Sequence, residues 1–233
     1  MYQTRENINF LNDSHAIPFT SLIEAVDIME YGSDVSVMFQ MLFLTGCRIS
    51  ELDNMDVDHL FQIDEKKFII YWRTGKKGRI RKECLPYFYI KELNHYRKYN
   101  RVHAKRLFGI ENNTFRRYFN RYVRPLLSKV WQEKRLYEVQ GILQEQYVLQ
   151  LKGLRKDFQT LLFKKEIEKW KDSNVALEMV SKRMKHSSQK ITAFHYIENF
   201  DSLDINRFAH LEPAEILRTS GSQKRIMDYL KEE

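Results

Sequence analysis

The chain has 233 residues, a formal net charge of +8, 43% hydrophobic and 30% charged residues, which excludes a disordered polypeptide and fits one good core with small appendages. Its two cysteines, Cys47 and Cys84, exclude a disulfide framework and a Cys-rich zinc site, and its seven histidines show no metal-ligand spacing. With no apolar run of about 18 residues and no signal-peptide pattern, an intracellular protein that needs no metal is the simplest reading, and the basic balance favours a polyanionic partner such as nucleic acid.

Residues 1–16 are polar and lack periodicity, which predicts an extended arm. Ser21 and Glu24 have capping-box spacing and predict a helix that turns Val26 and Met29 inward. Gly32-Ser33-Asp34 breaks it. A second helix follows through Met38, Met41, Leu42 and Leu44 and ends at Gly46, a natural C′ residue. It is hydrophobic all round and therefore belongs at the centre of the core. A short third helix is expected over 49–56. β-Branched and aromatic residues then take over, and 68–72 with 80–85 predict an antiparallel pair across Thr74-Gly75-Lys76-Lys77-Gly78-Arg79. After Pro86 the helical period returns over 87–99, 113–128, 131–147, 154–168 and 173–184, with shorter helices around 189–199 and 213–231. The fold class is α+β, mainly α: a helical domain over 17–211 with a small antiparallel sheet inserted, and a helical tail over 212–233.

Five residues stand out by chemistry and by order. Arg48 sits in Thr45-Gly46-Cys47-Arg48-Ile49-Ser50-Glu51-Leu52, just past a helix end, where an arginine has little structural purpose. Lys152 and Arg155 are three apart on the opening turn of the 154–168 helix, so both reach one phosphate. Cations at that end oppose the helix macrodipole, which argues for a purpose beyond helix stability. His186 follows the 173–184 helix and precedes Ser187-Ser188, and Tyr196 projects from a helix whose other face carries Ile191, Phe194 and Ile197. A guanidinium bonds two phosphate oxygens at once, and a phenol, with an ordinary pKa of about 10, needs such charge nearby to act as a nucleophile. Arg116, Arg117, Arg121 and Arg124 crowd one helix, and the 117, 121, 124 spacing lines a face that reads as DNA-facing, with a solvated basic face as the alternative. Arg79, Arg81 and Lys82 add phosphate contacts on the hairpin beside Lys76 and Lys77.

On these residues, from about Pro18 to Phe200, the chain resembles the catalytic domain of the tyrosine recombinase (phage integrase) superfamily. The resemblance implies a site-specific recombinase or integrase that cleaves and rejoins DNA through a 3′-phosphotyrosyl intermediate. Arg48 and Arg155 would clamp the scissile phosphate with His186 in support, and Glu51 would brace the site. Lys76, or its rival Lys77, would protonate the leaving 5′ oxygen, and Tyr196 would attack. Double-stranded DNA is the implied partner, with self-association into a dimer or tetramer on it, no membrane and no cofactor. The implied location is the cytoplasm or nucleoid, or the host-cell interior for a viral protein. Three departures stand out. Lys152 replaces the family's usual histidine, as in archaeal and viral branches, and Lys185 replaces the usual glycine before His186, which is expected to reshape that turn. The interval from His186 to Tyr196 is one residue longer than usual and puts His195 where the phenol normally falls. Arg48 also comes too early for the family's N-terminal core-binding domain, so the chain is expected to be a catalytic domain alone, by nature or as a piece of a larger integrase. Residues 213–231 dock either on a neighbouring protomer or on their own domain. A type IB topoisomerase and an inactive DNA-binding relative remain alternatives.

Overall fold

The computed structural model describes residues 16–74, 78–100, 102, 105–139, 142–186 and 213–219. The predicted arm, Lys76, Lys77, the 189–199 helix with His195 and Tyr196, and the end of the tail lie outside these residues.

The centre of the core is α2 (Asp34–Thr45), whose residues from Val35 onward are all buried. The Ser33 hydroxyl caps it by accepting the Ser36 N–H at 3.2 Å, and Gly46 ends it in the left-handed region with φ 56. Against it pack α1 (Phe19–Ile28), α3 (Tyr87–Tyr99), α4 (Asn112–Tyr118) and α6 (Gly153–Trp170). The Glu92 carboxylate pins α3 to α2 by accepting from the Ser36 hydroxyl, the Gln40 amide and the Gly32 N–H. As expected, Val26 of α1 and Met29 at its C-terminal end are buried. It begins two residues before Ser21, however, and Glu24 is taken by the Ser128 N–H and hydroxyl instead of closing a capping box.

The Ile49–Asn54 and Val57–His59 segments are 3₁₀ turns that lead into a three-stranded antiparallel sheet, β1 (Leu60–Asp64), β2 (Lys67–Arg73) and β3 (Ile80–Pro86). The last two are the expected pair, in a register that sets Trp72 opposite Arg81. The edge strand β1 was not expected; its side chains are mostly exposed and follow no inside–outside alternation. On β3 the period of two turns Arg81, Glu83 and Leu85 inward and Ile80, Lys82 and Cys84 outward.

Two predicted helices change character. The 113–128 helix ends as α4 at Tyr118 and passes through a π-helical turn (Phe119–Val123) into a 3₁₀ turn (Arg124–Leu126). The 131–147 helix is in fact a short helix, α5 (Lys129–Gln132), followed by an antiparallel hairpin, β4 (Lys134–Val139) and β5 (Ile142–Tyr147). Leu136, Val139, Ile142 and Leu143 satisfy helical spacing, but Leu136, Ile142 and Leu143 are exposed on the hairpin, so no core rewarded that pattern. The remaining elements, α6 and α7 (Ser173–Met184), fall where periodicity placed them. Finally α8 (Pro213–Thr219) packs on α1 and α2 with Ile216 and Leu217 in the core, so this part of the tail docks on its own domain.

Candidate functional site

The site forms where the end of α2, the start of α6, the end of α7 and the sheet meet. Gly46 makes this approach possible: a Cβ there would lie 2.3 Å from the Phe158 ring. The chain then turns through Cys47 to Arg48, which begins the 3₁₀ turn carrying Glu51.

Glu51 is fully buried and gathers the arrangement. One carboxylate oxygen accepts from the Arg48 guanidinium at 2.9 Å; the other accepts from the Arg48 N–H at 3.0 Å and the Trp72 indole at 3.1 Å. The Arg48 side chain remains 37% exposed, so the guanidinium is braced from below and open to an incoming anion. Burial alone would raise the Glu51 pKa. The hydrogen bonds from Arg48 and Trp72 and the charge of Arg155 outweigh that and hold it below the usual carboxylate range. A carboxylate depressed on folding stabilises the protein above its unfolded-state value, about 4.3, and that contribution is lost as pH falls through the lower folded value. Melting temperature should therefore fall more steeply below about pH 4 for the wild type than for Glu51→Gln, which has no such group to protonate. Equal acid slopes would contradict this.

Arg155 is 4% exposed and donates to the Gly46 carbonyl at 2.5 Å, with its other terminal nitrogen 3.0 Å from His186 Nε2. Guanidinium has no acceptor, so Nε2 accepts and Nδ1 carries the ring proton. Arg48, Glu51, Arg155 and His186 are thus brought together in the fold although they lie far apart in the sequence. Lys152 is exposed at the N-terminus of α6, where the helix turns Arg155 inward. It lines a cleft of about 490 Å³ together with Ile49, Arg116, Asn120, Tyr147 and Arg124. The thiol of Cys47, buried beside Glu51, is pushed up to about 12 by burial first and the carboxylate second, so it stays protonated and unreactive.

The backbone turns at Lys185 just before His186. Lys185 itself adopts the left-handed conformation at φ 56 that glycine would take. An L-residue there is strained, so Lys185→Gly should raise stability by roughly 0.5–1 kcal/mol in chemical denaturation. An unchanged or lowered midpoint would contradict this.

Of the expected DNA-contacting cations, Arg79, Lys82, Arg116, Arg117 and Arg121 are exposed, and Tyr118 and Tyr122 are exposed beside the last three. Two expectations need correction. Arg81 is 1% exposed because strand alternation turns it inward, and it donates to the carbonyls of Thr45 at 2.7 Å and Gly46 at 3.2 Å. Arg124 is 3% exposed because the π-helical turn rotates it off the 117/121 face. Its guanidinium lies 3.9 Å from the Tyr147 ring centroid and donates to the carbonyls of Trp131 and Leu149, and burial pushes its pKa down to about 10. Neither side chain presents a surface cation to a duplex. Glu83, Trp72 and Arg183 complete the surroundings of the site and were not anticipated; the alternation along β3 was the available signal for Glu83.

No protein-family model matches the chain, and no curated protein matches it. Solved structures do. A XerH site-specific recombinase bound to palindromic difH substrate in a post-cleavage complex aligns with TM-score 0.55 at 16% identity, covering 83% of this chain and 50% of that one. A pre-cleavage complex of XerH with difH gives 0.50 at 18% identity, covering 85% and 54%. A XerA recombinase gives 0.53 at 19% identity, covering 94% and 68%. The chain spans about half the length of the XerH chains. The mostly helical fold with its small antiparallel sheet is that of the tyrosine recombinase catalytic domain. Among the described residues, no helix is long and apolar enough to cross a membrane.

Proposed function

We propose that the chain is the strand-cleaving domain of a tyrosine-type site-specific recombinase acting on double-stranded DNA. The observation that carries this reading is a cluster in which a partly exposed Arg48 is bonded to the buried Glu51, whose charge Arg155 offsets, while the buried Arg155 is bonded to the carbonyl of Gly46, two residues before Arg48, and to His186. Two fixed cations with hydrogen-bonding forks match the charge that builds on a phosphodiester under attack. The DNA-bound XerH neighbours, alike in fold, support the choice of substrate.

In this reading the Tyr196 hydroxyl attacks the scissile phosphorus. The new O–P bond makes a 3′-phosphotyrosyl link, and the bond to the 5′ oxygen breaks. The phenol gives up its proton to solvent, and the leaving oxygen gains one from Lys76, or from Lys77 in its place. Such a positioned acid contributes about 10²–10⁴ in rate. Lys152, on the rim of the 490 Å³ cleft, donates to the same phosphate. A 5′ hydroxyl from a partner strand reverses the step, and the bond energy retained in the link means that no nucleotide is consumed. Exchange between two duplexes calls for several copies of the protein on DNA. Arg79, Lys82, Arg116, Arg117 and Arg121 hold the backbone without selecting sequence.

The test is incubation with a nicked duplex carrying the protein's own site, followed by denaturing electrophoresis. An SDS-stable protein–DNA adduct is expected from the wild type and none from Tyr196→Phe. An adduct that survives Tyr196→Phe would reassign the nucleophile, with His195→Ala then separating the neighbouring side chain's role; no adduct from the wild type would sink the reading.

A further inference from the structure

Arg81 is buried with its side chain fully enclosed, yet its ligands are not those of a residue that merely fills space. It bonds the carbonyls of the two residues that end α2, Thr45 and Gly46, immediately ahead of Cys47 and Arg48. The Gly46 oxygen is the same atom that accepts from Arg155. Two guanidiniums share one acceptor, an arrangement that needs nearby negative charge, and Glu83 and Glu51 supply it. The Arg81 guanidinium also lies over the Trp72 ring, 4.8 Å from its centroid, and Trp72 donates to the carboxylate that braces Arg48.

The same residue reaches the histidine's turn. Arg81 lies 3.3 Å from the Met184 sulfur, and its neighbour Glu83 accepts from Arg183 at 3.1 and 3.2 Å. Met184 and Arg183 close α7, two and three residues before His186. Arg81 stands on β3, which begins shortly after Lys76 and Lys77 in the sequence.

We propose that Arg81 is a positioning residue: by clamping the Thr45 and Gly46 carbonyls and stacking on Trp72, it sets Arg48, Arg155 and the His186 turn in one geometry for a phosphate. This deepens the recombinase reading and rests on it for the identity of the phosphate, but the geometric claim stands on its own. Removing Arg81 leaves Arg48 and Arg155 in the chain while loosening the backbone between them. A displacement of about 1 Å at a reacting centre costs on the order of 10²-fold in rate.

The experiment uses the full chain and sodium tungstate, a tetrahedral oxyanion, with binding read by calorimetry at a temperature where circular dichroism shows each variant folded. Arg81→Met is expected to weaken tungstate about tenfold or more, as loss of outer partners does at metal sites. It should also slow adduct formation about 10²-fold at saturating duplex while leaving duplex affinity within about threefold. Arg81→Lys, which keeps the charge and reaches one carbonyl, should recover part of both losses and is the variant to read if Arg81→Met does not fold. Arg97→Met removes a guanidinium that holds the Arg106, Leu107 and Val102 carbonyls, none of them in the site, and should leave tungstate binding unchanged. Tungstate affinity and adduct rate in folded Arg81 variants equal to wild type would overturn the proposal, as would a wild type that neither binds tungstate nor forms adduct. Tungstate binding that depends on Arg81 in a protein forming no adduct would uphold the positioning role and sink the recombinase reading alone.

Discussion

If the proposed function holds, Arg48→Ala is expected to lower the rate of covalent adduct formation by about 10²–10³, the loss that follows removal of one preorganised donor to a developing oxyanion. It does so at small cost to the fold. The Arg48 side chain is 37% exposed, so solvent screens its half of the ion pair with the buried Glu51. Glu51 keeps its two other donors, the backbone N–H at position 48 and the Trp72 indole, so no buried carboxylate is abandoned. Activity and stability thus separate at this position, which they do not at Arg155, where the guanidinium is buried and also holds the end of α2. Single-turnover adduct assays beside urea denaturation check the pair of outcomes. A variant that reacts at the wild-type rate, or one that loses several kcal/mol, contradicts this assignment of Arg48.

Gly46→Ala costs roughly 2–4 kcal/mol of stability, combining left-handed strain in an L-residue with overpacking. The new methyl carbon would sit 2.3 Å from Phe158 Cδ1 and 2.7 Å from Cγ, atoms of a buried ring in a helix that cannot withdraw cheaply. The carbonyl of the same residue is the acceptor for Arg81 and Arg155, so the strain falls directly on the site. Adduct formation should therefore drop in the folded fraction as well. Combining Gly46→Ala with Phe158→Leu should cost less than the sum of the two single changes, because the overlap is relieved while the φ strain stays. Strict additivity would show that Phe158 is not what the methyl group meets.

Much of this arrangement was legible in the sequence because local chemistry and tertiary packing agree there. The apolar stretch ending at Gly46, the β-branched pair around Thr74 to Arg79 and the periodic runs at 153–170 and 173–184 each satisfy one rule at a time. Arg48, Glu51, Arg155 and His186 were readable through motif and order, and the fold brings these four together. The failures have specific causes. Leu136 to Leu143 fit a helical period although Gly141 stands midway, and spacing alone does not separate a helix from a hairpin without knowing which face is buried. Arg124 fits the 117/121 stripe only if the helix keeps 3.6 residues per turn, and the π-helical turn from Phe119 to Val123 breaks that assumption. Arg81 was grouped with exposed hairpin cations by charge, whereas its place in the two-residue alternation with Glu83 and Leu85 marks it as inward-facing.

In the proposed reaction Arg48 and Arg155 neutralise one and the same phosphodiester. A nicked duplex with an uncharged methylphosphonate at the scissile linkage tests it, since that substrate has less charge to offset. The Arg48→Ala deficit should shrink from about 10²–10³ to below about tenfold on that duplex, and remain full when the methylphosphonate sits several linkages away. An Arg48→Ala deficit of equal size on both duplexes would place the guanidinium somewhere other than the scissile phosphate.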